Sequence, residues 1–414
     1  MIALTRLVVF LAAPLLVYGN PAVADEYHYN SFIIGERASG MGGAYTAISD
    51  DASGMFYNPA AIVYVGDRNF SASVNAYYSQ TKKYDNVIGT RPYERKSTAL
   101  LANYFGIVKP FGDFKVGFSY AVPDSVEEDQ NQTFDNVSNS VSRFTINLNN
   151  QDKTYNFGPS LAMEVNDKLA IGLTLYAHQR KSQIILNQFV ERVNATNQWV
   201  NRYYRLNESG VRPILGVAWA PVDKVSLGMA LSKTYVLSSD GITQDTCWDA
   251  AAGGCNATAT SPSIKVPTLT NFTTKRKYPL RIAVGAAYFV DSDLLFSADV
   301  THYTAVRDPV FGEKMKTTNL ALGTEYYLSK KSAVRFGLYT NMANTPNIQA
   351  GVTTIEEQIN IYGITASIST FSGSSSVTLG TNISSGKGKS QILNDSSVQN
   401  ASTFGWLVFL SSSY

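Results

Sequence analysis

Three arginines of this chain lie in apolar stretches, where a charge either binds an anion or has to be paired with an acid. Arg212, Arg281 and Arg335 each lie within a stretch of alternating apolar residues, on the face with the smaller and more polar side chains. A guanidinium group forms paired, charge-assisted hydrogen bonds with a carboxylate, so these arginines are candidates for holding an anionic head group. The same face also carries Glu164, Asp299 and Glu325. The alternative, which we favour at this stage, is a network in which these acids and arginines pair and stiffen the interior.

The sequence contains no readable catalytic, cofactor or metal site. Gly388-Lys389-Ser390 imitates the end of a phosphate-binding loop, but the motif's first glycine is missing. Gly117-Phe118-Ser119-Tyr120-Ala121 lacks the second glycine of a nucleophile elbow, and the three histidines form no metal-binding pattern. Asp50 and Asp51 lack the spacing of a calcium loop and suit a helix N-terminus instead. We therefore expect neither an enzyme nor a cofactor, with a Ser-His pair assembled across strands as the open alternative.

The elements that must position these residues are β-strands. Between Asp113 and Val122 every second residue is apolar and mostly large, and the residues between them are small or polar. This alternation recurs along the chain and ends with the stretch Phe404 to Tyr414. Charged residues make up only 16% of the chain, which is too few for the surface of a soluble protein. The pattern predicts an all-β protein, a transmembrane antiparallel β-barrel.

The lengths of the connections between strands give the strand count. Six tight turns are predicted, at residues 109–113, 166–168, 221–224, 291–293, 329–332 and 370–375. Seven longer polar connections are predicted, at residues 81–94, 123–152, 181–209, 237–277, 305–315, 342–356 and 385–402. Outer-membrane barrels have short turns at the periplasmic rim and long loops outside. We expect about 14 strands, with both ends of the barrel at the periplasmic rim.

The N-terminal part predicts export and a plug. Residues 1–24 have the three parts of a secretory signal peptide, with cleavage before Asp25. Residues 25–66 are predicted as a small helical hatch, and residues 67–414 as the barrel. Cys247 and Cys255 are expected to close a small disulfide ring in an oxidising compartment, with two free thiols as the alternative. A formal net charge of +2 argues against nucleic acid as a partner.

The stretch Gly35 to Ala44, followed by Asp50-Asp51 and then by Asn58-Pro59-Ala60, resembles the N-terminal hatch of the FadL/TodX family of outer-membrane transporters. Asn58 also suits a helix N-cap, with proline at the first helical position. The resemblance assigns to a hatch or gate Gly40, Gly42, Gly43, Asp50, Asp51, Asn58, Pro59 and Ala60. It also implies an inward kink of the third strand that opens the wall. Gly117 and Pro123 are the candidates for this kink, because glycine weakens a strand and proline cannot continue its ladder.

The resemblance implies diffusion-driven uptake of long-chain fatty acids or other hydrophobic compounds across the outer membrane of a Gram-negative-type bacterium. Hatch movement would release the ligand, and an opening in the wall would deliver it to the bilayer. The expected partners are outer-membrane lipid, lipopolysaccharide, the hydrophobic ligand and, because the last strand ends on an aromatic residue, the barrel-insertion machinery. A monomer without cofactors is expected. The alternatives are a barrel component of a protein secretion system and, less favoured, a general porin.

Overall fold

The computed structural model describes residues 27–29, 31–66, 69–194, 196–249, 263–352, 356–392 and 397–414. The predicted signal peptide, residues 1–24, lies outside these residues. Before the first strand come two short α-helices, Glu36–Gly40 and Gly54–Tyr57, and a 3₁₀-helix, Pro59–Tyr64. Within the described ranges, no helix is both long enough and apolar enough to cross a membrane.

The remainder of the fold is one antiparallel sheet that closes on itself. Its strands are β1 Phe70–Ile88, β2 Arg91–Phe111, β3 Phe114–Asp135, β4 Val141–Asn166, β5 Leu169–Arg192, β6 Gln198–Val222, β7 Val225–Asp249, β8 Ser263–Phe272, β9 Lys277–Phe289, β10 Leu294–Tyr303, β11 Thr317–Ser329, β12 Ser332–Asn341, β13 Glu357–Ser372, β14 Ser375–Ser390 and β15 Gln399–Ser413. β1 pairs with β15, which closes the ring. β8 and β9 both pair with β7, β9 along its first half and β8 along its second. They are two segments of one barrel strand, so the predicted count of fourteen strands is confirmed.

The strands turn apolar side chains outward and small polar ones inward. In β13, Tyr362, Ile364 and Ile368 are about half exposed on the outer face. Thr365 and Ser369, which alternate with them, are buried in the interior. Exposed apolar residues of this kind recur on nearly every strand and form the band that faces lipid in a transmembrane barrel.

The two rims of the barrel differ as predicted, with tight turns at one rim and longer connections at the other, but most of the long connections are shorter than predicted. All six predicted tight turns are present, each with at most four residues between strands, and both ends of the barrel lie at that rim. Five of the seven predicted long connections are wrong in extent, because β1–β8, β14 and β15 run far into them. The region 123–152, for example, is β3 and β4 joined by residues 136–140. Above the membrane the outer face of a strand meets water instead of lipid, so the outward apolar alternation that marks a membrane strand ends there.

The strand extensions make the outer rim uneven. β3 to β7 have 22 to 26 residues each, whereas β10, β11 and β12 have 10 to 13. A membrane crossing needs about 9–11 residues, so roughly half of each long strand lies outside the bilayer. The inward side chains of these extensions form apolar clusters around Tyr84, Ile146 and Tyr204. The outer mouth is thus filled on its tall side by a packed apolar layer.

Candidate functional site

The hatch core, which we define as residues 35–66, lies inside the barrel and touches the wall where the wall has glycine. Three cross-strand glycine pairs face it: Gly172 with Gly216, Gly228 with Gly285, and Gly323 with Gly337. A Cβ atom at any of these six positions would lie less than 3.0 Å from a hatch atom. The backbone of the hatch core is therefore in direct contact with the backbone of the wall, and any larger wall residue would displace it.

Asn58 anchors the hatch core on the β6 side. It is fully buried, and its Nδ2 donates to the carbonyl oxygens of Thr46 and Val217, both at 2.9 Å. Its Oδ1 accepts from the backbone N–H of Ala60 at 3.2 Å, and Pro59 occupies the first turn of the 3₁₀-helix. These three bonds tie two parts of the hatch to each other and to the wall.

The predicted gate glycines have separate structural roles. Gly42 and Gly43 have φ values of 65° and 83°, a left-handed conformation that glycine adopts without steric cost. Gly40 has an ordinary φ, but a Cβ there would collide with Ser367. The predicted gate residues of the first helix and its following turn thus fix the hatch backbone against the wall.

Acidic groups provide further anchors. Asp299, on β10, accepts the backbone N–H groups of Tyr45 and Thr46 at 3.0 and 2.8 Å. In the hatch, Asp51 accepts from the backbone and the hydroxyl of Ser53. Burial raises the pKa of the Asp51 carboxyl, although the hydrogen bonds from Ser53 act in the opposite direction. Asp50 is exposed and pairs with the guanidinium of Arg37.

Arg335, one of the three candidate head-group residues, belongs to an ion cluster. Its Nε donates to Glu325 at 2.7 Å, and Arg37 of the hatch pairs with the same carboxylate. Arg335 also donates to Ser369 and is only 1% exposed. Its charge is therefore neutralised within the plug, which matches the paired network favoured from the sequence.

The N-terminal segment, which we define as residues 27–29 and 31–34, is held differently from the hatch core. It crosses the lumen above the hatch core, with its first residues near β13 and β10. His28 Nε2 lies 2.8 Å from the carbonyl oxygen of Ile359, and the ring of Tyr29 stacks on that of Tyr303 with centroids 4.2 Å apart. Its contacts are thus mostly side-chain contacts and single hydrogen bonds.

The other end of the N-terminal segment covers an interruption in the wall. β2 and β3 pair regularly up to Tyr104 and Ala121 and meet again only at Ser97 and Glu128. The register of β3 against β4 also shifts between Ala121 and Asp124. Pro123 lies in this irregular stretch, whereas Gly117 is regularly paired on both sides and faces Met55 of the hatch. Of the two kink candidates, only Pro123 coincides with the interruption.

Residues of the N-terminal segment bond to both edges of this interruption. The backbone N–H of Phe32 donates to the carbonyl oxygen of Pro123 at 3.0 Å, and Ser31 N–H donates to Asp124 at 2.8 Å. On the β2 edge, Asn103 Nδ2 donates to the carbonyl oxygen of Ile33 at 3.2 Å. The Phe32 side chain is buried against residues of β1, β2 and β15, namely Tyr78, Leu101, Leu407 and Phe409. The segment therefore covers the interruption from within.

A cavity of about 130 Å³ lies between the N-terminal segment, β3 to β7, β9 and the loop 304–316. We call it the lumen cavity. Aromatic rings from three directions line it, those of Tyr29, Tyr278, Tyr303 and Phe311. Arg180 and Arg276 also line it, but the first pairs with Asp152 and the second with Glu208. The charges of these two arginines are compensated within the wall.

The charges of Arg212 and Arg281 are not compensated in this way. Both line the lumen cavity, and among the described residues no carboxylate lies within ion-pair distance of either. Arg281 is 7% exposed, and its Nη1 atom has no hydrogen-bond acceptor among the residues that the structure describes. The half-buried Arg212 lies over the ring of Phe56, 5.0 Å from its centroid. The structure thus brings two of the three predicted head-group residues to one cavity and separates the third.

The cysteine prediction is only partly within the described ranges. Cys247 lies in β7 and is disulfide-bonded. Cys255 falls outside the described residues, so the predicted pair stays a prediction. In the described part of the chain, no group of three or more His, Cys, Asp or Glu residues is arranged to hold a metal ion.

Sequence reasoning missed two features of the site. The first is the set of wall glycines that contact the hatch core. They lie at inward positions in the interior of strands, where glycine is otherwise unfavourable, and their occurrence at these positions could have indicated the contact. Phe311 closes the outer end of the lumen cavity from the loop 304–316. Nothing in the polar sequence around it marks the ring as buried, because its position depends on the fold of the loop.

Comparisons with known proteins agree on one family. The family described as "Outer membrane protein transport protein (OMPP1/FadL/TodX)" matches residues 23–367. A Pseudomonas aeruginosa FadL homologue is 14% identical, with 94% of this chain and 99% of that chain covered and a TM-score of 0.64.

Two further solved structures show a similar likeness. The Ralstonia pickettii toluene transporter TbuX is 15% identical, with 92% and 98% of the two chains covered and a TM-score of 0.57. The Pseudomonas putida toluene transporter TodX is 13% identical, with 96% and 98% covered and a TM-score of 0.59. At such identities these structures establish the fold alone. No curated protein sequence matches the chain.

Proposed function

The chain belongs to the FadL/TodX family, whose members are outer-membrane channels for hydrophobic compounds and not enzymes, and on this premise we propose that it takes up hydrophobic acids. Long-chain fatty acids are one class of such ligands. The proposed uptake is driven by diffusion. Each methylene group withdrawn from water gains about 0.8 kcal/mol, which an apolar site uses and a water-filled pore does not.

The observation that carries the proposal is the pair Arg212 and Arg281. Their guanidinium groups line a cavity that also carries four aromatic rings, and in the described structure they form no ion pair with a carboxylate. A buried charge without a partner is costly, and an anionic ligand would remove that cost. A carboxylate is the anion that best matches the planar guanidinium fork. A neutral hydrocarbon would leave the cost in place.

The proposed exit is lateral. The interruption between β2 and β3 leaves backbone groups that pair with the N-terminal segment instead of with a neighbouring strand. Withdrawal of Phe32 from the wall would connect the lumen to the bilayer at this point. We propose that the moving part of the hatch is the N-terminal segment, and that Gly40, Gly42, Gly43, Asn58, Pro59 and Ala60 hold the hatch core in place.

A pair of cross-links tests this route. In the first variant, Ile33→Cys and Asn103→Cys are joined by a short bis-maleimide, which fixes the N-terminal segment to β2. In the control, Ala47→Cys and Ser226→Cys are joined in the same way, where Ser226 already donates to the Ala47 carbonyl oxygen at 2.6 Å. We expect the first cross-link to stop uptake of oleate into liposomes and the second to leave it unchanged.

Other outcomes would reject the proposal. Equal uptake with both cross-links would exclude release through the N-terminal segment. If the hatch-intact protein neither binds nor speeds the uptake of any hydrophobic acid, whether oleate or a ring-bearing acid, the transport proposal itself fails. A stable ion conductance without ligand would support a porin, and a protein partner that stays bound on extraction would support a secretion role.

The remaining proposed partners follow from the position of the barrel in the outer membrane. We propose that the apolar band contacts outer-membrane lipid and that the outer strand extensions meet lipopolysaccharide. Tyr414, whose backbone pairs with that of Phe70 at the closing seam, would be read by the barrel-insertion machinery. The ring closes within a single chain, so a monomer is sufficient for the proposed transport.

A further inference from the structure

We infer that the lumen cavity selects a compact, ring-bearing carboxylic acid over an extended acyl chain and over a neutral hydrocarbon. This inference rests on the proposed uptake of hydrophobic acids and narrows it to one class of substrate. It depends on three features of the cavity: its size, its aromatic walls and its uncompensated charge.

The lumen cavity is small while the N-terminal segment is in place. Its volume of about 130 Å³ is similar to that of a dry cavity that binds benzene, roughly 150 Å³. The stacked rings of Tyr29 and Tyr303 bound one side, and Arg212, which lies over the ring of Phe56, lines the cavity as well. A single ring with a short side chain fits this space. An extended acyl chain does not, unless one of these boundaries moves.

The outer boundary is the ring of Phe311. The Arg276 guanidinium lies over this ring, 4.2 Å from its centroid, and is itself held by Glu208. Asp308 caps the turn that carries the ring by accepting the backbone N–H groups of Val310 and Phe311 at 3.0 and 3.1 Å. Phe311 is therefore fixed from both its backbone and its face, and it limits the length of a ligand.

The walls favour a ring over a chain. Tyr29, Tyr303, Tyr278 and Phe311 all line the cavity, so a bound ring meets aromatic edges and faces on several sides. Aromatic pairs gain about 0.5–1.5 kcal/mol beyond their buried area, a term that an alkyl chain lacks. The rings also keep their shape on binding, whereas a chain loses conformational freedom.

The charge favours an acid over a hydrocarbon. Arg281 is more than nine-tenths buried, and its Nη1 atom, without an acceptor, belongs to a side chain that lines the cavity. Arg212 lies close enough to Arg281 for their charges to interact, and in the described structure neither forms an ion pair, although Asp124, which also lines the cavity, acts on Arg212 at longer range. A carboxylate placed there compensates both charges.

The test compares three probes with the same number of carbons. These are 3-phenylpropanoate, nonanoate and propylbenzene, titrated calorimetrically into the purified full-length barrel with its hatch. Nonanoate is the more hydrophobic of the two acids, so partition into an unspecific apolar site would rank it first. We expect 3-phenylpropanoate to bind about tenfold more tightly than either of the others, since one charge-assisted hydrogen bond or one well-fitted ring is worth that factor.

Two sets of variants separate the causes. Phe311→Ala should lengthen the cavity and shift the ratio of the two acid affinities toward nonanoate, while Phe296→Ala, on the lipid-facing side of β10, should not. Arg212→Met combined with Arg281→Met should abolish the preference for the acid over propylbenzene. Arg143→Met is the control for this pair, because Arg143 is exposed in the outer extension and pairs with Asp135.

The outcomes distinguish this inference from the proposed function. Tighter binding of nonanoate to the unmodified protein overturns the inference, as does an unchanged acid ratio in Phe311→Ala. If oleate uptake is blocked by the Ile33–Asn103 cross-link while 3-phenylpropanoate shows no preferred binding, the transport proposal stands and the selectivity is wrong. If no acid is bound or taken up, both fail.

Discussion

The hatch core and the N-terminal segment lie in the same lumen but are attached to the barrel by different means. The hatch core meets the wall backbone to backbone at three glycine pairs, and the buried polar groups Asn58 and Asp299 tie it to two strands, β6 and β10. The N-terminal segment is held by single hydrogen bonds and ring contacts at the interruption between β2 and β3. A plug can therefore be fixed in one half and releasable in the other. Four experiments would break or sharpen this contrast.

The largest effect is expected where the wall is made too large for the hatch core. Gly172→Val with Gly216→Val places side chains against Pro59 and Ala60, and overpacking of this kind costs about 1–3 kcal/mol at each position. The barrel should still insert, but the hatch core should leave its seat and single-channel recordings should show ion conductance. Gly66→Val is the control, because a Cβ at Gly66 meets nothing within 4 Å. A double variant without ion conductance would contradict the contact of the hatch core with these two glycines.

A smaller loss is expected when one anchor is removed. Asn58→Ala leaves the carbonyl oxygens of Thr46 and Val217 and the N–H of Ala60 without their partner, at a cost of about 2–3 kcal/mol. Hydrogen exchange should speed up across the whole hatch core. Asn201→Ala removes a single side-chain bond to Asn187 in the outer extension and should change nothing in the hatch. Faster exchange confined to the N-terminal segment would reverse our assignment of the two parts.

The third experiment loosens only the N-terminal segment. Phe32→Ala removes a buried ring from the cluster at the β2–β3 interruption, at about 3 kcal/mol, the low end for a Phe-to-Ala change. We expect faster hydrogen exchange in residues 31–34 and faster oleate uptake, with no change in the melting temperature of the barrel. A drop in that temperature would mean that the segment is part of the cooperative core.

The smallest effect is a pH dependence of the hatch core. Because burial raises the folded-state pKa of Asp51, the folded hatch holds the proton more tightly than the unfolded chain does. Its stability is highest below the unfolded pKa of Asp51 and falls as the pH rises through the folded one. Asp51→Asn should flatten this fall in hydrogen exchange corrected for intrinsic rates. A slope that persists in the variant must come from another group.

Most of the fold could be predicted from the sequence because its signal is local. Tight turns and apolar alternation depend on neighbouring residues, so the six turns and fourteen strands were recoverable. The outer extensions were not, since β3 continues above the membrane with mostly polar residues, and in β4 the apolar residues there, such as Ile146, pack inside the mouth instead of facing lipid. The split of one barrel strand into β8 and β9 was also not foreseen, because the break at residues 273–276 carries no distinctive turn residue.

The candidate site was harder to predict because it depends on pairing. Arg212, Arg281 and Arg335 look alike in sequence, each inward in an apolar strand. Only the register that sets Glu325 opposite Arg335 shows which charge is neutralised. No such partner faces the other two arginines in the described structure. The hatch motif gave the location of the plug, but the division between its fixed and releasable halves follows from contacts with strands far away in sequence.

The unequal heights of the strands have a consequence for how a molecule first meets the protein. On the side of β3 to β7 the wall rises well above the bilayer, and on the side of β10 to β12 it ends near the membrane surface. In the proposed uptake, an apolar molecule that approaches from outside would meet the tall side first, before it reaches any lipid. The proposed capture of a ligand would then be directional, with more encounters on the tall side of the barrel than on the short side.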